Sequence, residues 1–276
     1  MMTILDKIIA HKHHEIAERR EQTPVSMLEK SLLFSVPRKS LSSELNRADK
    51  TGIIAEFKRR SPSKGWLNAN ADAKEITAGY QTAGASALSI LTDGEFFGGS
   101  NQDLIDAFSA VEISILRKDF IVDEYQIVEA KAIGASAILL IAAALEEKEI
   151  RQLASFAASL GLEVLLEVHD QSEIPKDFSN IAMIGANNRN LKDFSVDVNR
   201  SLEIAKFLPP EITKISESGL NNAAIISELK SSGYKGFLIG ETFMKTANPA
   251  AACAELIKEV QSTKVIPCAL DFESET

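Results

Sequence analysis

Only two of the 276 residues are cysteine, Cys253 and Cys268, both late in the chain and without the spacing of a metal site. A disulfide framework is excluded, and a reducing compartment is expected. No apolar run approaches the roughly 18 residues that a membrane span needs, so no membrane partner is expected. Positive charge is not in excess either: 30 Lys and Arg stand against 39 Asp and Glu, a formal net charge of −9. That balance argues against a broad nucleic-acid footprint, while a local basic pocket for a small anion remains compatible with it. The opening stretch MMTILDKIIAHKHHEIAERREQ is too charged too early for a signal peptide and has the period of an amphipathic helix. A cytoplasmic protein is the expectation.

The chain does carry a recurring β-type run: GIIAEF, ALSILT, EISILR, AILLIA, EVLLEV, IAMIGA, TKISES and GFLIGE, starting at residues 52, 87, 112, 137, 163, 181, 213 and 236. The spacing, about 20 to 35 residues, is that of one βα unit. Segments of helical period such as DEYQIVEAKAIGA and EEKEIRQLASFAASLG lie between, and four of them end at Gly84, Gly134, Gly161 or Gly233. Glycine tolerates the left-handed conformation that stops a helix. Runs apolar on both faces, alternating with helices, predict a parallel sheet covered by helices. Eight units in roughly 225 residues fit a (β/α)8 barrel better than an open sheet. The first 48 residues, broken by SVPRKS, predict an N-terminal helical extension packed on the barrel, with residues 1–276 forming a single domain.

In such a barrel the loops after the strands build the active site. The polar residues at the predicted strand ends are Glu56 and Lys58, Lys118 and Asp119, Glu167 and His169, Asn187 and Arg189, and Glu217 and Ser218. Residues two apart on a strand share a face, so Glu56 and Lys58 are aimed together. Charge near a barrel core costs several kcal/mol unless paired or solvated, which makes an accidental accumulation improbable beside the plainer reading of ions closing the barrel top. SESGL and LIGETF bring Gly219 and Gly240 to adjacent loops, the usual phosphate cradle of this fold, with Ser61, Ser63 and Arg189 as further donors. Phe97 and Phe120 are candidates for an apolar wall, and Trp66 a lesser one. His11, His13 and His14 in HKHHE have flanking charges that mark a solvated helix face, so no metal is expected there.

The set AEFKRRSPSKG, ILRKDFIVDEYQI, LLEVH, GANNRNL, ISESGL and FLIGETFMK resembles the indole-3-glycerol-phosphate synthase family of tryptophan biosynthesis, from ILDKIIAHK to the last helix. The resemblance implies closure of the pyrrole ring of 1-(2-carboxyphenylamino)-1-deoxyribulose 5-phosphate, with loss of carbon dioxide and water and without a cofactor. It implies Lys118 as the acid for ring closure, Glu167 and Glu56 as carboxylates of proton transfer, and Lys58 as a ligand of the substrate acid groups that also serves dehydration. Asn187 would hold a substrate hydroxyl, and Glu217 and Ser218 would line the mouth. Burial and neighbouring lysines would lower a lysine pKa here, each glutamate opposing that. Transient contact with other tryptophan-pathway enzymes is a further implication. One position departs from the pattern: Glu241 follows Gly240 where a small residue is frequent, so only its backbone N–H is expected to help a phosphate. A Schiff-base aldolase or decarboxylase using Lys118 and a catalytically inactive phosphate-sugar binding protein are the alternatives.

Overall fold

A five-residue run such as Ile-Ile-Ala-Glu-Phe puts apolar side chains on both faces of a strand, so both faces must be covered. The computed structural model, which describes residues 3–190 and 193–263, covers them by closing the sheet; Cys268 lies outside these residues. The barrel strands are β1 (Ile53–Phe57), β2 (Ala87–Leu91), β3 (Ile115–Lys118), β4 (Ala137–Ile141), β5 (Glu163–Val168), β6 (Met183–Asn187), β7 (Thr213–Glu217) and β8 (Tyr234–Ile239). All pair in parallel and in sequence order, and β8 returns to β1 with Ile54 opposite Leu238. Each expected run therefore supplies one stave. Leu116, Leu139, Leu165, Met183, Ile215 and Leu238 point inward and form a core separate from the larger shell between strands and helices.

Three helices precede the barrel, α1 (Ile4–Gln22), α2 (Val25–Leu28) and α3 (Leu41–Asn46). After β1 to β4 come α4 (Ala73–Ala83), α5 (Asn101–Ala110), α6 (Glu124–Ile133) and α7 (Glu147–Ser159). After β6 to β8 come α8 (Asn199–Ala205), α9 (Ala223–Ser231), α10 (Glu241–Met244) and α11 (Pro249–Ser262). The eight expected units are not equal, because the connection after β5 holds only a 3-10 turn, Gln171–Glu173. Its sequence, DQSEIPKDFSN, explains the difference: Pro175 blocks a continuing helix, and Asp170 and Asp177 each bind a serine two residues on in a local turn. The helix-ending glycines behave as expected, Gly84 and Gly134 capping α4 and α6 with φ of 96° and 110°.

The extension meets both ends of the barrel. At the strand starts, Leu41 and Leu45 of α3 enter the inner core. Glu163, the first residue of β5, accepts the backbone N–H of Leu41 at 2.7 Å and of Ser42 at 3.0 Å, and the Ser40 hydroxyl at 2.6 Å. At the other end, α1 buries the stripe Leu5, Ile8, Lys12 and Ile16. Lys12 is a correction to the expected solvated face, since it is 0% exposed although His13 and His14 beside it face solvent. Its Nζ lies 2.9 Å from Asp119, 3.0 Å from Asp93 and 2.9 Å from Glu15. A lysine this deep is tolerable only because three carboxylates receive it.

Candidate active site

Alternation along each strand decides which residues see the barrel interior. Glu56 and Lys58 follow Ile54 on the inner face of β1, Lys118 follows Leu116 on β3, Glu167 follows Leu165 on β5, and Glu217 follows Ile215 on β7. Arg117 turns the opposite way and is buried among Glu129, Asp119 and Thr92 beneath the helices, so Lys118 is not the one charge on its strand.

The inward groups meet at the strand C-termini. Lys58 Nζ is 2.7 Å from Glu56 Oε1, and Ser89 donates to the other Glu56 oxygen at 3.3 Å. Lys118 Nζ lies 3.1 Å from Glu167 Oε2 and 3.6 Å from Glu217 Oε2. Small residues make the room: a Cβ on Gly185 would sit 2.2 Å from Glu217 Oε1, and one on Gly240 would sit 2.5 Å from Glu56 Oε1. Asn187 Oδ1 accepts from the Ser218 hydroxyl at 2.9 Å and from the Arg189 backbone N–H at 3.0 Å. Ser218 itself has φ of 70°, an uncommon left-handed backbone for a non-glycine residue, followed by Gly219 at 78°.

The electrostatics are one-sided. Burial disfavours the Lys118 charge, yet Glu167, Glu217 and Glu56 outweigh it and hold the ammonium above the ordinary lysine range. Of the two opposed influences foreseen for this lysine, the carboxylates win. Burial likewise opposes the Glu167 charge, but Lys118 and His169 prevail and lower its pKa. Glu217 pays for this arrangement: burial, with Glu167 and Glu56 against the relief from Lys118, pushes its pKa up to about 8. Its Oε1 is buried and makes no hydrogen bond among the described residues.

A stability consequence follows from Glu217. Its folded pKa stands above its unfolded value, so its contribution is complete below about pH 4.3 and is lost as pH rises through the folded value near 8. Urea denaturation across that window is expected to show Glu217→Gln gaining on the wild type as pH rises from 5 to 8.

Two adjoining lobes open over these groups. The inner one, about 140 Å³, is lined by Lys118, Glu167, Glu217, Phe97, Phe120 and Ile8 among others. Phe97 and Phe120 stand with ring centroids 5.9 Å apart. The outer one, about 650 Å³, is bounded by Ser63, Arg189, Ser218, Gly219, Gly240 and Glu241, with Lys64 and Lys245 adding positive charge. Ser61 faces the inner lobe. The sequence-predicted residues are thus brought to one mouth. Three polar or aromatic candidates are not: Trp66 is 58% exposed and lies over Arg60, Asp119, although on the wall, belongs to the Lys12 cluster, and His169 lies behind Glu167 on the wall of a separate cleft. Leu5, Ile8 and Phe194 line the inner lobe and were not foreseen individually. The spacing of Leu5 and Ile8 on the α1 stripe was their signal, whereas Phe194, at φ of 60° in a loop, had none.

The family model described as Indole-3-glycerol phosphate synthase matches residues 5–256. The chain belongs to the indole-3-glycerol phosphate synthase family. A protein of that name from Bacteroides thetaiotaomicron is 47% identical over 261 residues, covering 95% of this chain and 100% of its own length. Namesakes from Desulfotalea psychrophila and Acinetobacter baylyi are 43% and 39% identical, covering 93% and 92% of this chain and 99% and 95% of their own. As a member of the indole-3-glycerol phosphate synthase family, the chain handles the glutamate after Gly240 in a specific way. Glu241 Oε2 is 3.4 Å from Arg189 Nη2, so its negative charge is met by a cation at the rim. No group of three or more His, Cys, Asp or Glu among the described residues is arranged to hold a metal ion, and none of their helices is long and apolar enough to cross a membrane.

Proposed function

We propose that the protein converts 1-(2-carboxyphenylamino)-1-deoxyribulose 5-phosphate to indole-3-glycerol phosphate, a carboxy-lyase step of tryptophan biosynthesis, in the cytoplasm. The observation that carries this reading is the charged Lys118 set between Glu167 and Glu217 under a wall of two phenylalanines. The ring carbon must attack a ketone that is a poor electrophile until its oxygen receives a proton. A cation held in a dry site supplies that proton and stabilises the oxygen as charge develops. Lys118 has this role, and the ring carbon that bears the carboxylate forms the new bond, so that loss of carbon dioxide restores the aromatic ring. The hydroxyl then leaves as water, and Glu167 takes the proton from carbon. Lys58, held by Glu56, binds the substrate carboxylate and assists the departing hydroxyl. Asn187 and Ser218 hold a substrate hydroxyl.

Phe97 and Phe120 take the aromatic ring in the inner lobe. The phosphate takes the outer lobe, held by Ser63, Arg189 and the backbone of Gly219, Gly240 and Glu241, a polar region supported by Lys64 and Lys245, while Ser61 meets the substrate from the inner lobe. We read residues 1–276 as one domain in which residues 1–48 are an extension, a reading supported by the buried Lys12 pairs and by Leu41 and Leu45 in the inner core. A Schiff-base reaction is disfavoured, because Lys118 is held in the charged form and a carbinolamine needs the free amine.

Mixing purified protein with this substrate and following indole absorbance and fluorescence tests the reaction; absence of indole would overturn it. The phosphate position is tested by Gly219→Val. A Cβ at 219 would stand 2.4 Å from Val196 Cγ1 at a backbone φ of 78°, so this loop must shift. At Gly240 the obstacle to a Cβ is the Glu56 carboxylate. The expected result for Gly219→Val is a KM raised by about tenfold or more and weaker protection by inorganic phosphate against heat. Equal protection of variant and wild type would move the phosphate elsewhere.

A further inference from the structure

The proposed reaction takes up one proton net per turnover. Two protons reach the ketone oxygen before it departs as water. One returns from the carbon that joins the new double bond, and the departing carbon dioxide leaves its electron pair in the ring. Lys118 and its partners must therefore be reloaded from solvent. Glu167 and Glu217 are buried, and the lobe above them is the one the substrate fills. A proton route that avoids this lobe has an evident use.

The structure contains a line of exchangeable groups on the far side of Glu167. One Glu167 oxygen faces Lys118 Nζ at 3.1 Å, and the other lies 3.4 Å from His169 Nε2. His169 Nδ1 is 3.2 Å from Glu173 Oε2, which also accepts the His169 backbone N–H at 2.7 Å and so anchors the imidazole. Nε2 is buried and makes no hydrogen bond among the described residues, leaving it free to exchange with the carboxylate it faces. Beyond the ring, the Glu173 side chain is 21% exposed. It opens on a separate cleft of about 820 Å³ walled by His169, Asp170, Glu173, Asn199 and Arg200. Leu5 of α1 lines both this cleft and the inner lobe, so it stands as the partition between them.

We propose that Glu173, His169 and Glu167 form a proton relay that reloads Lys118 from this second cleft while substrate occupies the mouth. Water in the cleft gives a proton to the Glu173 carboxylate. Glu173 passes it to Nδ1 as Nε2 releases its proton to Glu167, and Glu167 hands it to the neutral Lys118 amine. Once product has left, Nε2 takes a proton back from Glu167, which the open mouth reprotonates, and Nδ1 returns its own to Glu173, restoring the starting tautomer. The carboxylates facing the imidazole are Glu173 on its own loop, Glu167 on β5 and Glu217 on β7. Burial works against the imidazolium, but these groups overcome it and raise the His169 pKa, so the ring gains a proton readily near neutrality. The absence of a helix after β5 serves the same end, because the short turn leaves Glu173 beside the ring and open to water.

The relay rests on the roles proposed for Lys118 and Glu167, and its test separates the two. His169→Asn and Glu173→Gln are mixed with substrate in a stopped-flow fluorimeter, and indole fluorescence is followed through the first and later turnovers. The first turnover uses protons already loaded and is expected to stay within about threefold of wild type. Later turnovers are expected to slow by about tenfold or more, giving a burst of one indole per enzyme. Imidazole buffer should restore the later rate in His169→Asn and leave the wild-type rate unchanged. Parallel loss of first and later turnovers without buffer rescue would overturn the relay, as would an unchanged steady-state rate in both variants. A wild type that forms no indole would overturn the proposed function and the relay with it.

Discussion

Lys118→Met is expected to lower kcat by about two to four decades while substrate affinity stays within about tenfold, the usual size of a general-acid contribution. The fold should survive, because the lysine lost is replaced by a proton. Glu167 owes its lowered pKa largely to Lys118, so without that cation burial and the neighbouring Glu217 drive one carboxyl of the pair to the neutral form. Circular dichroism and steady-state kinetics on the variant check both halves. Near-normal turnover would remove Lys118 from the mechanism.

Lys12→Met is expected to have the largest effect on stability, about 3–5 kcal/mol in urea denaturation, because it strands two buried carboxylates. Asp93 Oδ1 accepts the backbone N–H of Phe96 at 2.7 Å and of Phe97 at 3.1 Å, and Asp119 Oδ1 accepts that of Phe120 at 2.8 Å. Both phenylalanine loops therefore hang on carboxylates that Lys12 neutralises, and kcat/KM should fall with stability. The sign of the pH dependence is fixed by Asp119, which burial would raise but Lys12 and Arg117 hold well below the usual range. Its contribution is present above about pH 3.9 and is lost as pH falls through the lower folded value, so the wild-type advantage over Lys12→Met should shrink in acid. Deletion of residues 1–40 removes the same lysine together with Ile8 and Leu5 of the lobe, and should destabilise the barrel as well as slow it. A truncated protein with wild-type melting and affinity would reduce the extension to an appendage.

The strands were legible because a doubly covered strand must be apolar on both faces, and the site was legible because its charges interrupt that rule at the strand ends. Glu56, Lys118, Glu167 and Glu217 are conspicuous for that reason. Lys12 was hidden by its neighbours: HKHHE reads as a wet surface, and only the regular spacing from Ile8 to Lys12 to Ile16 marks the middle residue as inward. The pKa of Glu217 was hidden for a different reason, since it depends on residues of β1, β3 and β5 that meet only when the barrel closes. The missing helix after β5 was visible in Pro175 and its turn-forming neighbours, but the regularity of the other units outweighed it.

The extension also has a bearing on how the chain is made. Its first segment cannot reach its final place until Asp93 and Asp119 have been synthesised, and its third segment needs Glu163 and, through a 2.7 Å bond from Asn46, Thr213. The extension leaves the ribosome ahead of the residues that receive it and is therefore among the last parts to dock. Until then the stripe of Leu5, Ile8 and Ile16 has no cover, and contacts of such long sequence separation form slowly. The strap behaves as a latch that closes only on a nearly complete barrel, so its exposure to protease marks chains that have not finished folding.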